Sequence, residues 1–348
     1  MAEDSKVHDA LQSTLKEISS GLDALQQGTA RSGLTEIVPL ETLRKDFISV
    51  VSLIYNHTTR LWLALGKQPP TPAAILPTLQ DLSKHISTLY GCALAFRDVY
   101  GKSFVSEARR STVGVLVALQ HLLQDYIEGK KGDNSMRKTA AVHESCDHAR
   151  NLSLDAREAV WKEWKIDNEA IKDAMRELKE LLSTGETGDK EEISDGWDEL
   201  LEGEAACEVE LTDNDRAAIK KAIIVLEGFA SYRKQFQKTV LSSTTELEID
   251  VATYDRISEL SRALIPVVDD IVGCLDPPVG LDELKQLLEA LGRGLRRLHD
   301  AITQHMPNVL EQVDKLDLSD RSKPDQPLSR INALQSKFND IIASMQAI

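Results

Sequence analysis

Apolar residues recur at alternating steps of three and four along most of this chain, the spacing that lines one face of a helix. The first stripe is Val7, Leu11, Leu15, Ile18, Leu22 and Leu25, and Gly28 and Gly33 break it. The second runs Leu40, Leu43, Phe47, Val50, Ile54, Leu61 and Leu65 to Gly66, where Pro69, Pro70 and Pro72 stop it. The third is Leu79, Leu82, Ile86, Leu89, Ala93 and Phe96; the fourth is Phe104, Ala108, Val115, Leu119, Leu122 and Tyr126. A more polar fifth helix is expected from about Met136 to Trp164, with Val142, Cys146, Ala149, Ala156 and Val160 facing inward. A short sixth carries Ile171, Met175, Leu178 and Leu182.

Beyond Gly185 and Gly188 the pattern lapses, then resumes behind Thr212. Thr212 reads as a helix N-cap, with Asp215 three residues on completing a near capping box. The seventh stripe is Ile219, Ala222, Leu226, Phe229, Phe236 and Val240. The eighth runs from Leu247 to Leu275, with Pro266 expected to kink it and Pro277 and Pro278 to end it. The ninth is Leu281, Leu284, Leu288, Leu291, Leu295, Leu298 and Ile302. Val309, Val313 and Leu316 suggest a short tenth, and Leu328 to Met345 a last helix.

No run of strict alternation, the signature of a half-buried strand, stands out. Val51, Trp62, Leu116, Leu123, Ile223 and Leu287 widen the stripes beyond a two-position seam, so each helix needs several neighbours. The expected fold is therefore all-α and monomeric, with two antiparallel helical bundles, residues 1–182 and 212–348, joined by a linker at 183–211. Composition supports this: hydrophobic residues make up 42% but aromatics only 5%, so the core is built from Leu, Ile, Val and Ala.

Charge singles out the linker. The chain carries a net −15, and residues 183–211 alone hold eleven acids against one Lys, a net of −10. Such a chain repels phosphate backbones, which argues against direct nucleic-acid binding. The linker composition suits a solvated spacer. Trp197, Leu200 and Leu201 sit among its acids at helical spacing, as in short partner-binding motifs, and are the candidate partner-binding residues. They are also able to tack the linker onto its own bundle. Ser183 has Glu186 three residues on and is a candidate phosphorylation site.

Catalytic and metal signals are weak. The cluster His143-Glu144-Ser145-Cys146-Asp147-His148 separates its histidines by five, about 140° apart on a helix, and His143 with Cys146 supplies only two ligands. No GxxxxGK[ST], GxGxxG or GxSxG motif occurs. Gly292-Arg293-Gly294-Leu295-Arg296-Arg297 lies within a helical stripe; its three Arg read as a solvated face or as a basic patch for an acidic segment. No cofactor is called for. Cys92, Cys146, Cys207 and Cys274 are scattered, no apolar run reaches membrane-spanning length, and no signal-peptide pattern opens the sequence. An intracellular, reducing setting is expected.

Val160-Trp161 followed by Asp167-Asn168, then Pro266-Val267-Val268-Asp269-Asp270 followed by Pro277-Pro278, resemble the cyclin-D-interacting proteins, often called GCIP. The order of parts is similar too: a helical half, an acidic linker, then a capped helical half. The resemblance implies helical domains like those of vinculin, talin and α-catenin. It implies a non-enzymatic regulator of the nucleus and cytoplasm that binds D-type cyclins and helix-loop-helix transcription factors and restrains cell-cycle progression. The competing reading is a vinculin-like cytoskeletal or membrane-proximal adaptor, with Arg293, Arg296 and Arg297 as its basic group.

Overall fold

A computed structural model describes residues 2–28, 38–66, 71–130, 132–184, 211–241 and 249–316, with isolated helical positions at 336, 339, 340 and 343. Among the described residues the structure is helical, with no strand. The chain divides into two compact units, Met1–Ala159 and Val160–Ile348.

The first unit holds α1 (Ala2–Gln27), α2 (Leu40–Gly66), α3 (Pro72–Ala95), α4 (Lys102–Ile127) and α5 (Asp133–Arg150). α1 packs on α3 and α4, α2 on α3 and α5, and α4 on α5. Their stripes meet in one core in which Ile18, Phe47, Ile54, Leu82, Ile86, Phe104 and Leu119 are fully buried. Each such side chain contributes about 1.5–3 kcal/mol on leaving water. Phe96 joins the turn after α3 to this core, edge-on to Phe47 at 6.0 Å and to Phe104 at 5.2 Å. A short 3₁₀ turn, Asp98–Tyr100, leads to Gly101, whose φ of 103° lets α4 begin at once.

The expected fifth helix is in fact two. α5 ends at Arg150, and α6 (Ala156–Thr184) starts a new axis that absorbs the expected sixth helix. Capping explains the break. Glu158 N–H donates to Asp155 Oδ1 at 2.8 Å, and Glu158 Oε2 accepts from Leu154 N–H at 2.7 Å. Arg44 of α2 donates to the Leu152 and Ser153 carbonyls at 2.9–3.0 Å, satisfying two acceptors of the turn between α5 and α6.

The division of the chain falls within α6, upstream of the expected boundary at 182. Val160, Trp164, Ile171, Ala174 and Leu178 belong to the second core. They share it with α7 (Asp213–Phe236), the π turn Gln237–Leu241, α8 (Val251–Arg262), α9 (Ile265–Cys274) and α10 (Leu281–Leu316). α10 packs on α8 and α9. The Thr212 cap forms: Asp215 N–H donates to Thr212 Oγ1 at 3.2 Å, and Thr212 N–H donates back to Asp215 Oδ2 at 3.0 Å.

Two expectations on this side are corrected. Pro266 interrupts the eighth stripe rather than kinking it: α8 stops at Arg262 and α9 begins at Ile265, with Pro266 in its first turn. The proline lacks the N–H that a continuous helix would bond to Arg262. The expected ninth and tenth helices are one, α10, 36 residues long. The expected last helix at 328–345 falls almost wholly outside the described residues.

Candidate partner-binding surfaces

The residues that carry the family resemblance separate into buried and exposed sets. Arg233 of α7 is 0% exposed. Its Nε donates to Asn168 Oδ1 at 2.7 Å, its Nη2 to Asp167 Oδ2 at 3.2 Å, and its Nη1 to Ser261 Oγ of α8. The guanidinium stacks 4.2 Å from the Trp164 ring, whose Nε1 donates to the Arg233 carbonyl at 3.3 Å. One helical turn earlier on α6, Glu163 accepts from Ser258 Oγ at 2.8 Å and pairs with Arg262. Asp167-Asn168 thus belongs to a polar lock joining α6, α7 and α8.

Desolvation dominates this lock. Burial lowers the Arg233 pKa to about 10 despite the attraction of Asp167. Burial likewise raises Asp167 above its ordinary range, and Arg233 and Arg262 only partly offset that. Of the other matching residues, Val160 and Val268 are buried, whereas Asp269 and Asp270 are exposed on α9. Asp269-Asp270 therefore faces solvent, whereas Asp167-Asn168 is largely taken up by the lock.

The predicted site residues fare differently. Trp197, Leu200 and Leu201 lie outside the described residues. Ser183 is exposed in the last turn of α6, its hydroxyl donating to the Glu180 carbonyl at 2.8 Å. It borders a shallow, open depression lined also by Lys172, Met175, Arg176, Lys179 and Glu180. Arg293, Arg296 and Arg297 are exposed on α10, with Arg293 facing Glu289 at 3.7 Å. Gly294 beside them has a packing role, because a Cβ there would overlap the Leu264 side chain.

The His143–His148 cluster is split by its helix. Cys146 is fully buried, and burial pushes its thiol up to about 12. His143 stacks on Tyr55 at 3.9 Å and shares a 3.0 Å hydrogen bond with Thr59, while His148 is exposed. Among the described residues no group of three or more His, Cys, Asp or Glu is arranged to hold a metal ion, and no helix is long and apolar enough to cross a membrane.

Exposed large apolar side chains are spread over several helices: Leu53 and Leu63 on α2, Met136 on α5, Ile166 on α6 and Ile224 on α7. Each of these side chains is exposed on a different part of the helical surface. Residues 46–184, which run from within α2 to the end of α6, match the family described as Grap2 and cyclin-D-interacting, N-terminal. Over that span the chain resembles the N-terminal domain of the Grap2 and cyclin-D-interacting proteins. A relative from zebrafish (Danio rerio), the cyclin-D1-binding protein 1 homolog, is 26% identical over 269 residues, covering 72% of this chain and 74% of its own length. The family read from the order of parts is the one that matches, and it takes in α6 with the preceding helices although α6 packs in the second core.

Proposed function

We propose that this chain is a non-enzymatic, protein-binding regulator of the cyclin-D-interacting type. Its partner is a D-type cyclin or a structurally similar protein, with helix-loop-helix transcription factors as further partners, and its effect is to restrain cell-cycle progression in the nucleus and cytoplasm. The observation that carries this reading is the family match over residues 46–184, together with a relative named for binding cyclin D1. The all-helical build supports it, because stripes consumed in two cores leave helix surfaces for docking. In this reading the chain works as a monomer of two vinculin-like bundles. Residues 183–211 serve as an acidic linker in which Trp197, Leu200 and Leu201 engage the partner.

Affinity capture from native extract with the full chain as bait is the test. Enrichment of a cyclin or helix-loop-helix protein is expected, with a loss of at least tenfold for the Trp197→Ala/Leu200→Ala/Leu201→Ala variant. Recovery of actin or of anionic vesicles, with no cyclin, would favour an adaptor working through Arg293, Arg296 and Arg297.

A further inference from the structure

Ser183 occupies a position on α6 that the linear sequence does not disclose. Arg176, Lys179 and Ser183 are spaced by three and four, so they share one outer face of the helix and border the same depression. The hydroxyl is exposed, and its hydrogen bond is to a carbonyl of its own turn. The two cations are more than half exposed and hold only carboxylates: Arg176 faces Asp173 at 3.0 Å and Glu180 at 3.8 Å, and Lys179 reaches Glu227 of α7 at 2.8 Å. Glu186 stands three residues beyond Ser183 and Asp189 six.

We propose that Ser183 is a phosphoacceptor and that its phosphate is held by Lys179 and Arg176. The phosphoryl donor is ATP, delivered by an acid-directed Ser/Thr kinase that recognises Glu186. Ser183 Oγ attacks the γ-phosphorus, the bond from phosphorus to the ADP oxygen breaks, the hydroxyl proton passes to the kinase base, and ADP leaves. Two effects oppose a phosphate here: the negative end of the helix dipole and the carboxylate of Glu180. Two cations within one and two turns oppose them in return. The phosphate carries about −1.5 to −2 charges and three acceptor oxygens, against a single charge on each carboxylate it displaces. Lys179 therefore moves from Glu227 to the phosphate, and the Lys179–Glu227 tie between α6 and α7 is given up. Phosphorylation then acts on the fold where α6 ends, not only on the charge of the linker.

The test uses the full chain, ATP and an acid-directed Ser/Thr kinase whose activity is verified on a synthetic peptide of residues 179–193. Phosphopeptide mapping is expected to place phosphate on Ser183, and Ser183→Ala to abolish that signal. The clamp is read separately by ³¹P NMR titration, since free phosphoserine has its second ionisation near pH 6. The midpoint is expected to lie about half a pH unit or more below that of the Arg176→Ala/Lys179→Ala variant. Labelling confined to Ser194 or other sites, or no labelling while the peptide is modified, overturns the proposal. Equal midpoints in the two proteins overturn the clamp.

Discussion

At the scale of single residues, the most consequential side chain is one the stripes skip. The stripe read for α7 steps from Phe229 to Phe236, and two fully buried side chains with polar ends, Tyr232 and Arg233, fill that gap of seven. A gap of that length on an otherwise regular face marks a position that is buried but polar. The same signature marks His57 and Thr58 between Ile54 and Leu61, and Thr112 between Ala108 and Val115. The signal was in the sequence, but its partners were not. Nothing in the spacing connects Arg233 with Asp167 or Asn168, about 65 residues away. Because desolvation exceeds the attraction within the pair, the pair adds little net stability, while a lone charge there is costly. Arg233→Ala is expected to destabilise the chain by about 3–5 kcal/mol in urea unfolding. The Arg233→Met/Asp167→Leu variant should recover most of that loss, and a double variant as weak as Arg233→Ala would contradict this account of the lock. Cys146 offers a second check. Its buried thiol has a raised pKa, so at pH 8 its alkylation by iodoacetamide should follow global unfolding, well behind that of the partly exposed Cys274.

At the scale of elements, the helices were largely legible but their ends and associations were not. The break at 151–155 depends on Asp155 and Glu158, a D-x-x-E signature hidden inside a stripe that runs on in phase. The assignment of α6 to the second core depends on tertiary packing, which periodicity does not encode. Contacts between elements also decide substitutions. Gly21 of α1 lies so close to α3 that a Cβ would sit 2.5 Å from the Tyr90 ring. That ring is held by its hydroxyl, which donates to Glu17 Oε1 at 2.8 Å, so it has little room to yield. Alanine in place of glycine gains about 1 kcal/mol of helix propensity, against an overpacking cost of about 1–3 kcal/mol. Gly21→Ala should therefore lower the melting temperature, and a rise would contradict the close approach. The α2–α3 contact adds a pH dependence. His57 lies 5.1 Å from His85 between ring centroids. Its pKa is below the usual 6.5, chiefly through desolvation and then through His85 and Arg60, with Asp81 opposing. The folded chain then binds fewer protons than the unfolded chain as the pH falls below about 6.5, so stability drops on acidification through that range. Replacing His57 with Phe should flatten the fall in melting temperature between pH 7 and 5, and an unchanged slope would exclude His57 as its source.

At the scale of the whole molecule, the position of α6 changes what cleavage should do. From sequence, proteolysis between Gly185 and Glu204 is expected to release two independently folded fragments. The second core predicts a different outcome. Trp164, Ile171 and Leu178 lie upstream of that site and pack with α7–α10 downstream of it. The fragments should therefore stay together through size-exclusion chromatography and separate only in denaturant. Elution as two species would show that α6 contributes little to the second core. The acidity concentrated at 183–211 remains, on this view, a property of the stretch between α6 and α7 rather than a boundary between separable halves. The most direct test of the function is isothermal titration of the purified full chain with a purified D-type cyclin. Saturable binding near one-to-one stoichiometry is predicted, weakened by substitution of Trp197, Leu200 and Leu201. A flat isotherm at tens of micromolar of each protein would contradict the cyclin-D-interacting reading.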